Sequence, residues 1–536
     1  MGRGPYHEPC LAPRLTHAVP ILMLLDANVT EEVADEVSSK LVIVGAGTVG
    51  LYLAATLADA KERSDIVLVE AGSRIASTAL NSLTSVSVGK PHEGVHLGRA
   101  AGLGGTSSLW GGQLAEFGPV DLERPDAAWP LSYEELQRYY RIVYQRLAIG
   151  SPEPTAFYRQ KFGGENDETG SVERFFTYWL KQPNFATLYK GLIQSSKTVR
   201  VVINLTANGC EFDGEHARCL YCTTSSGRNI RVRSERFVFA SGTVATNRFF
   251  LSTQARCTVP WATNDHIGRY FQDHLGGKIA KVSILNEKRF RDYFENGWVN
   301  GVKLEAKLTM SRARQQSLPS GACGFFTYDS SISENVANIK RTIRGLRSGL
   351  SFSSIGSRLI DVFTVGRSLL PIVSRYMRSR RILALFDQGV HLNVQAEQIP
   401  VASSGIRLLN GEPAADGLIP VAVDWRCDGR ELSVIHELAI ESDAYLRSRG
   451  LAQLSIDPAL QGRDADFIDR LGDTYHPCGG MRMSADPIAG VVDGHCKVWG
   501  TSNVWVAGAA VLPSSSHANC TLTALALAAR LATQLQ

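Results

Sequence analysis

Apolar residues take two forms along this chain. Some make unbroken runs: Leu41-Val42-Ile43-Val44, Ile66-Val67-Leu68-Val69, Phe237-Val238-Phe239-Ala240 and Val504-Trp505-Val506-Ala507. A strand covered on both faces reads this way, so these runs predict the inner strands of a parallel sheet. Other segments are mixed or alternating: Val199 to Ile203, Leu220 to Thr224, Ile230 to Val232, Gly389 to Gln395 and Ile419 to Trp425. They read as further strands, the last two as antiparallel. Helical patterns begin at Leu51, with small Ala54, Ala55 and Ala58, at the capping box Ser132/Glu135, running to about Leu147, and at Thr521, running to Leu535. Parallel strands interleaved with helices make the fold class α/β.

Composition adds bounds. A chain of 536 residues, 44% hydrophobic and 20% charged, buries a large core and divides into two joined domains. Ten cysteines follow no repeating pattern, which suits reduced thiols in a cytoplasmic protein. Cys219 and Cys222 have metal or redox spacing, but no second pair accompanies them. No apolar run reaches the length of a membrane span. The N-terminal run Ala18 to Leu25 contains Pro20 and has no clean cleavage site, so residues 1–39 read as a variable extension.

The run at Leu41 leads directly into Gly45-Ala46-Gly47-Thr48-Val49-Gly50 and a helix. The run at Ile66 ends at Glu70, 20 residues past Gly50. This is a whole βαβ unit with a dinucleotide fingerprint. Gly45 permits the tight turn, Gly47 admits a pyrophosphate, Gly50 lets helix and strand pack, and Glu70 suits ribose hydroxyls. The free N–H groups of the helix suit phosphate. NAD and FAD use the same loop. A second glycine-rich segment, Gly102-Leu103-Gly104-Gly105-Thr106-Ser107-Ser108-Leu109-Trp110-Gly111-Gly112, lets backbone approach something flat. Leu109 and Trp110 argue against its lying in water. A third approach is expected where the run at Phe237 ends in Ala240-Ser241-Gly242.

Toward the C-terminus stand Asp473-Thr474-Tyr475-His476-Pro477-Cys478-Gly479-Gly480 and, 43 residues after His476, Asn519-Cys520-Thr521. With the glycine loops and Glu70-Ala71-Gly72, these stretches resemble the glucose–methanol–choline (GMC) oxidoreductases over residues 41–280 and 390–536. The resemblance implies a Rossmann-like FAD-binding domain of the glutathione-reductase type with an antiparallel-sheet substrate domain. The first would comprise 40–275 and 456–536, with cap elements at 120–195, and the second 276–455. It places Gly104, Gly105, Thr106, Ser107 and Trp110 along the flavin ring, and Ala240, Gly242, Gly508, Ala509 and Thr521 at the cofactor. Relatives with a covalent flavin carry histidine where this chain has Leu109, so FAD is expected to be noncovalent.

The resemblance assigns His476 as general base and Asn519 as its oxygen-holding partner, with His517 as rival. Asparagine can hold an oxygen but cannot serve as a second base near neutral pH. Cys520 replaces the usual proline and frees a backbone angle. Asp273 and His274 read as structural, since no reacting partner lies near them in sequence. The expected reaction is oxidation of a hydroxyl in a sugar, polyol, glycoside or related alcohol. A lyase with structural FAD, a sterol or lipid alcohol oxidase, and the flavin subunit of a membrane dehydrogenase complex stay open.

Charge changes the picture in one place. Residues 340–381 hold ten basic residues and one acid, Asp361, a net +9 in a chain of +4. Apolar residues recur there at helical spacing. This basic insertion, 336–381, reads as a peripheral contact with an anionic membrane surface or a lipid-linked substrate, or as a solvated helical insertion. No motif points to nucleic acid.

Overall fold

A computed structural model describes residues 23–29, 31–60, 65–149, 170–330, 374–375, 377–378, 380–381 and 383–536. Three sheets organise them. The first is built on the four unbroken runs. Glu36–Val44 lies between Ile66–Val69 and Asn229–Phe239, parallel to both. Val199–Ile203 extends the sheet past Ile66–Val69. Val504–Val506 pairs parallel with the end of Asn229–Phe239. An antiparallel ribbon of Leu205–Asp213 and His216–Thr224 continues the other side. Val42, Ile43, Val67, Leu68, Phe237 and Val238 are fully buried, as unbroken runs require.

Two expectations are corrected here. The segment read as two strands, Ile230–Val232 and Phe237–Phe239, is one eleven-residue strand. Its polar half pairs with Glu36–Ser39 and with the ribbon, so hydrogen bonding carries it past Arg233 and Glu235. The extension 1–39 also enters the fold. Leu24–Asp26 forms a parallel edge strand on Val201–Ile203, and the strand of Leu41 begins at Glu36.

The second sheet has nine strands. Along its main path lie Ala452–Ile456, Leu275–Ile284, Gly389–Ala396, Ala322–Asp329, Val302–Met310, Val172–Trp179 and Gln113–Leu114. All pairings are antiparallel. Val172–Trp179, expected among cap elements, is thus a member of this sheet, as are Ala452–Ile456 and Gly472–Asp473. Strict alternation gives it two faces. Leu304, Ala306, Leu308, Met310, Phe176, Leu392 and Val394 form one, all buried. The helix Glu431–Ser448 packs on these strands. The other face carries Lys303, Glu305, Lys307, Phe175, Thr177, Trp179, Phe325, Asn393 and Gln395, placed side by side by register. Val421–Trp425 sits in a third, small sheet, antiparallel to Gly405–Leu408 and parallel to Ser85–Gly89.

The helix Cys520–Leu535 is buried over most of its length. It packs against Thr48–Ala60 and Tyr133–Arg146, so its N-terminus is fixed by core contacts. Most of the basic insertion 336–381 lies outside the described residues. At its described end, Arg375 pairs with Asp292 and Glu295, and Arg381 donates to the carbonyls of Arg291 and Glu295. No helix among the described residues is long and apolar enough to cross a membrane.

Candidate active site

A cavity of about 500 Å³ opens above the C-terminal ends of the parallel strands. Gly45, Gly47, Thr48, Val49 and Glu70 line one part of it; Gly105, Thr106, Ser107 and Trp110 a second; Ala240, Gly242, Gly508 and Ala509 a third. His476, Pro477, Cys520 and Thr521 close it. These seven separate stretches of the chain therefore meet here. Glycines and alanines recur in these walls. A Cβ on Gly47 would meet nothing nearer than 3.8 Å, and one on Gly242 nothing within 4 Å. Both glycines leave room for a ligand, not for a packed neighbour.

Two expected cofactor residues do not line the cavity. Gly50 sits behind it, where an added Cβ would lie 1.9 Å from the Gly45 carbonyl oxygen. Gly104, at φ +85°, faces Ala186 and Asn184. Their work is packing that brings Gly45 and Gly105 to the wall. Leu109 is 48% exposed, against the expectation that it avoids water, while Trp110 is anchored by its Nε1–H to the Pro183 carbonyl at 2.8 Å.

Glu70 is buried, and its carboxylate accepts N–H groups from Ala46 (2.8 Å), Gly72 (2.9 Å) and Gly102 (2.7 Å). It thereby ties both glycine loops together. Burial raises its pKa despite these three donors. Three bonds leave one of a carboxylate's roughly four acceptor positions for a ribose hydroxyl. The first turn of Thr48–Ala60 and that of Cys520–Leu535 both reach the cavity, so two helix N-termini favour negative charge there. A phosphate-bearing, flat cofactor of the FAD kind fits these residues.

The reacting corner is built differently. His476 follows Tyr475, whose φ is +64°, a costly conformation for a non-glycine residue that turns the next side chain inward. Gly479 and Gly480 follow, both left-handed; a Cβ there would strike the Tyr270 carbonyl or the Asn247 side chain. The His476 N–H donates to Asp273 Oδ2 at 2.9 Å. Its Nδ1 lies 2.8 Å from Thr474 Oγ1 and 3.2 Å from His274 Nδ1. Its Nε2 faces Asn519 Nδ2 at 2.7 Å. Asn519 precedes the helix, and Cys520 begins it without proline. Asn519 Oδ1 is buried with no partner.

Hydrogen bonding assigns the tautomers. His274 Nε2 faces the Ser515 carbonyl at 3.2 Å, so Nε2 carries the hydrogen and Nδ1 the lone pair. His476 Nε2 accepts from the Asn519 amide, so its hydrogen is on Nδ1. The His476 imidazole is pulled down to about 3, first by burial and then by His274, and is neutral near neutral pH. Asp273, fully buried, is held as carboxylate by His92 and the two neighbouring histidines in spite of burial. His92 takes the Val95 N–H on Nδ1 and so donates Nε2–H to Asp273 Oδ2 at 3.1 Å.

Asp273 and His274 thus do have a reacting neighbour, contrary to the sequence reading. His92, Asp273, His274 and Thr474 complete the corner, and spacing could not bring them together. His517 stands apart from His476. Its ring packs edge-on to Phe175 at 5.8 Å, its Nδ1 is 4.0 Å from Asp121, and its carbonyl accepts from Gln395 at 2.8 Å. Those contacts bring the polar face of the second sheet against the Ser515–Asn519 loop. Trp179, on the same face, abuts Gly111 of the flavin-type loop. Cys219 and Cys222 are free and buried on the ribbon, with no metal-ligating cluster around them among the described residues.

Comparison with known proteins finds similarity in sequence and in fold. The GMC oxidoreductase C-terminal family profile matches residues 400–528. A C-glycoside 3-oxidase from Microbacterium trichothecenolyticum is 30% identical over 153 residues, 24% of this chain and 29% of that relative. The fold is that of pyridoxine 4-oxidase from Mesorbium loti, with TM-score 0.58 at 16% identity over 92% of this chain and 99% of that one. A formate oxidase gives 0.57 at 16% identity over 94% and 99%, and a fungal aryl-alcohol oxidase 0.56 at 13% over 92% and 98%. The profile match thus ties residues 400–528 to the GMC oxidoreductases, and the solved structures show that the fold is shared.

Proposed function

We propose that this protein is an FAD-dependent oxidoreductase that converts a CH–OH group of a sugar, glycoside or polyol to a carbonyl. One observation carries the reading. His476 lines the cavity, and just behind it Asn519 Nδ2 meets His476 Nε2 at 2.7 Å, an N–H donor beside an acceptor lone pair. A hydroxyl entering between them donates its proton to His476 and receives a hydrogen bond from Asn519. FAD, when bound, supplies the hydride acceptor. Neutral His476 takes the hydroxyl proton, a form of assistance worth about 10²- to 10⁴-fold in rate. Asn519 holds the oxygen as negative charge develops on it.

The sugar reading draws on the second sheet. Its inward face sets polar Glu305, Lys307, Thr177, Asn393 and Gln395 among Trp179, Phe175 and Phe325. A substrate with several hydroxyls and an apolar ring face suits this mixture better than a sterol does. The C-glycoside 3-oxidase relative points the same way. The basic insertion remains a candidate for a membrane surface or a lipid-linked substrate; failure of the protein to pellet with anionic vesicles at low salt would remove it.

The test is anaerobic addition of sugars, glycosides, polyols, sterols and simple alcohols to the flavin-loaded protein. Bleaching of the visible flavin band by a sugar or glycoside is expected. A flavin that no alcohol bleaches would replace the reading with the lyase, and bleaching by sterols alone would replace the substrate class.

A further inference from the structure

We propose that His274 is the residue in which the substrate proton comes to rest: His476 takes it at Nε2 and releases its Nδ1 proton, through the Thr474 hydroxyl, to Nδ1 of His274. The inference rests on His476 being the base. The three atoms form a closed triangle, with Nδ1 of His476 2.8 Å from Thr474 Oγ1, Oγ1 3.2 Å from His274 Nδ1, and the two Nδ1 atoms 3.2 Å apart. His274 Nε2–H is committed to the Ser515 carbonyl, so its Nδ1 lone pair is the empty position at the end of the chain. Thr474 accepts from His476, and its one proton has two acceptors within reach, Asp273 Oδ1 at 3.4 Å and, closer, His274 Nδ1 at 3.2 Å, so it can be given to His274.

The protons balance. The alcohol O–H breaks and an N–H forms on His476 Nε2. The His476 Nδ1–H breaks, its proton joins Thr474 Oγ1, and the hydroxyl proton joins His274 Nδ1. His476 ends neutral with its hydrogen on Nε2, and His274 ends as imidazolium. Return of one His274 proton through Thr474 to His476 Nδ1, with loss of the His476 Nε2 proton to solvent after product leaves, restores the resting tautomer.

The charge belongs on His274 for a physical reason. Burial disfavours an imidazolium there, but Cys520, Asp273 and the Ser515 carbonyl more than offset this and raise the pKa above 6.5. At His476 burial wins and neighbouring His274 adds to it. Asp273 contacts both residues, accepting the N–H of each, and His92 steadies its far side. Around the pair stand Cys520 with Cys478 from one side, Glu397 and His517 from another, and Lys307 toward His476. A base as weak as isolated His476 would give back its proton; coupling to His274 makes the pair the effective base.

His274→Asn is the informative variant. Its amide oxygen can stand where Nδ1 was and accept a hydrogen bond, but cannot take a proton. The first readout is the ¹⁵N spectrum of histidine-labelled protein against pH, with His274→Asn supplying the assignment. Expected are an Nδ1–H tautomer at His476, an Nε2–H tautomer at His274, and first protonation at His274 on acidification. The second is the anaerobic rate of flavin reduction. Wild type should show an acid limb above pH 6.5; His274→Asn should move that limb at least about one unit lower and lose about tenfold or more at the plateau. A proton inventory on wild type should be curved, which keeps the question open to test if the variant does not fold. Protonation of His476 before His274, an unchanged limb and plateau in the variant, or a linear inventory would each overturn the relay. If no alcohol reduces the flavin, the functional reading fails, and the imidazole titration still decides the pair.

Discussion

The two halves of this site are made of different material. The cofactor cavity draws on glycines and alanines, Gly45, Gly47, Ala240, Gly242, Gly508 and Ala509, with Glu70 as its buried acid. The reacting corner is made of side chains, His92, Asp273, His274, Thr474, His476 and Asn519, joined by hydrogen bonds of 2.7 to 3.4 Å. The first recognises by absence of bulk and by exposed N–H groups. The second works by holding protons at chosen atoms. Damage to the first should therefore appear as lost cofactor, and damage to the second as lost rate with cofactor retained.

Gly50→Ala offers the largest break. The new Cβ would lie 1.9 Å from the Gly45 carbonyl oxygen, so the loop must move, and flavin absorbance per protein should fall to near zero. His476→Ala should keep its flavin and lose about 10²- to 10⁴-fold in the rate of flavin reduction. Asn519→Ala should lose about 10- to 100-fold by the same assay, as expected for one donor to a developing oxyanion. If either of these lost flavin in proportion to rate, the division would be wrong. Glu70→Gln turns an NH₂ toward backbone N–H groups that now have a carboxylate. It should lower stability by about 1–3 kcal/mol in thermal unfolding, and weaken flavin retention without changing the reduction rate of loaded protein.

The smallest effect concerns His517, outside both halves. Burial pulls its imidazole down to about 4, so the unfolded chain binds a proton between about pH 6.5 and 4 that the folded chain refuses. Stability is then full above pH 6.5 and declines as pH falls toward 4. His517→Gln should make that decline shallower, by at most one proton per molecule.

The same contrast explains what was legible. The cavity motifs are local: Gly45, Gly242 and Gly508 each follow an apolar run and Gly105 lies in a glycine-rich segment of its own, so a reader of the sequence finds them one at a time. His476 and Asn519 were found because the family resemblance marks both. His274 and Asp273 were seen but misjudged, because their partners come from elsewhere. His92 and Asp273 are 181 positions apart, and His274 and His476 are 202 apart. The single strand Asn229–Phe239 was divided in two because Arg233 to Glu235 are polar, whereas strand continuity there depends on backbone pairing with Glu36–Ser39 and His216–Thr224. The face of the second sheet toward the site was hidden for a related reason: alternation shows that a strand has two faces, and only register shows which residues share one.

The strand Asn229–Phe239 has a consequence for how the protein is made. It is the seam of the first sheet, receiving Glu36–Val44 on one flank and Val504–Val506 on the other. The glycine loop at Gly45 is synthesised well before the strand and helix that complete its cavity, Val504–Val506 and Cys520–Leu535. Contacts so distant in sequence form slowly. The cavity can close around its cofactor only after Cys520–Leu535 has been made, so cofactor loading waits for that helix. Until then, the apolar surfaces of Thr48–Ala60 and Tyr133–Arg146 that the C-terminal helix will cover stand open to chaperones or to aggregation.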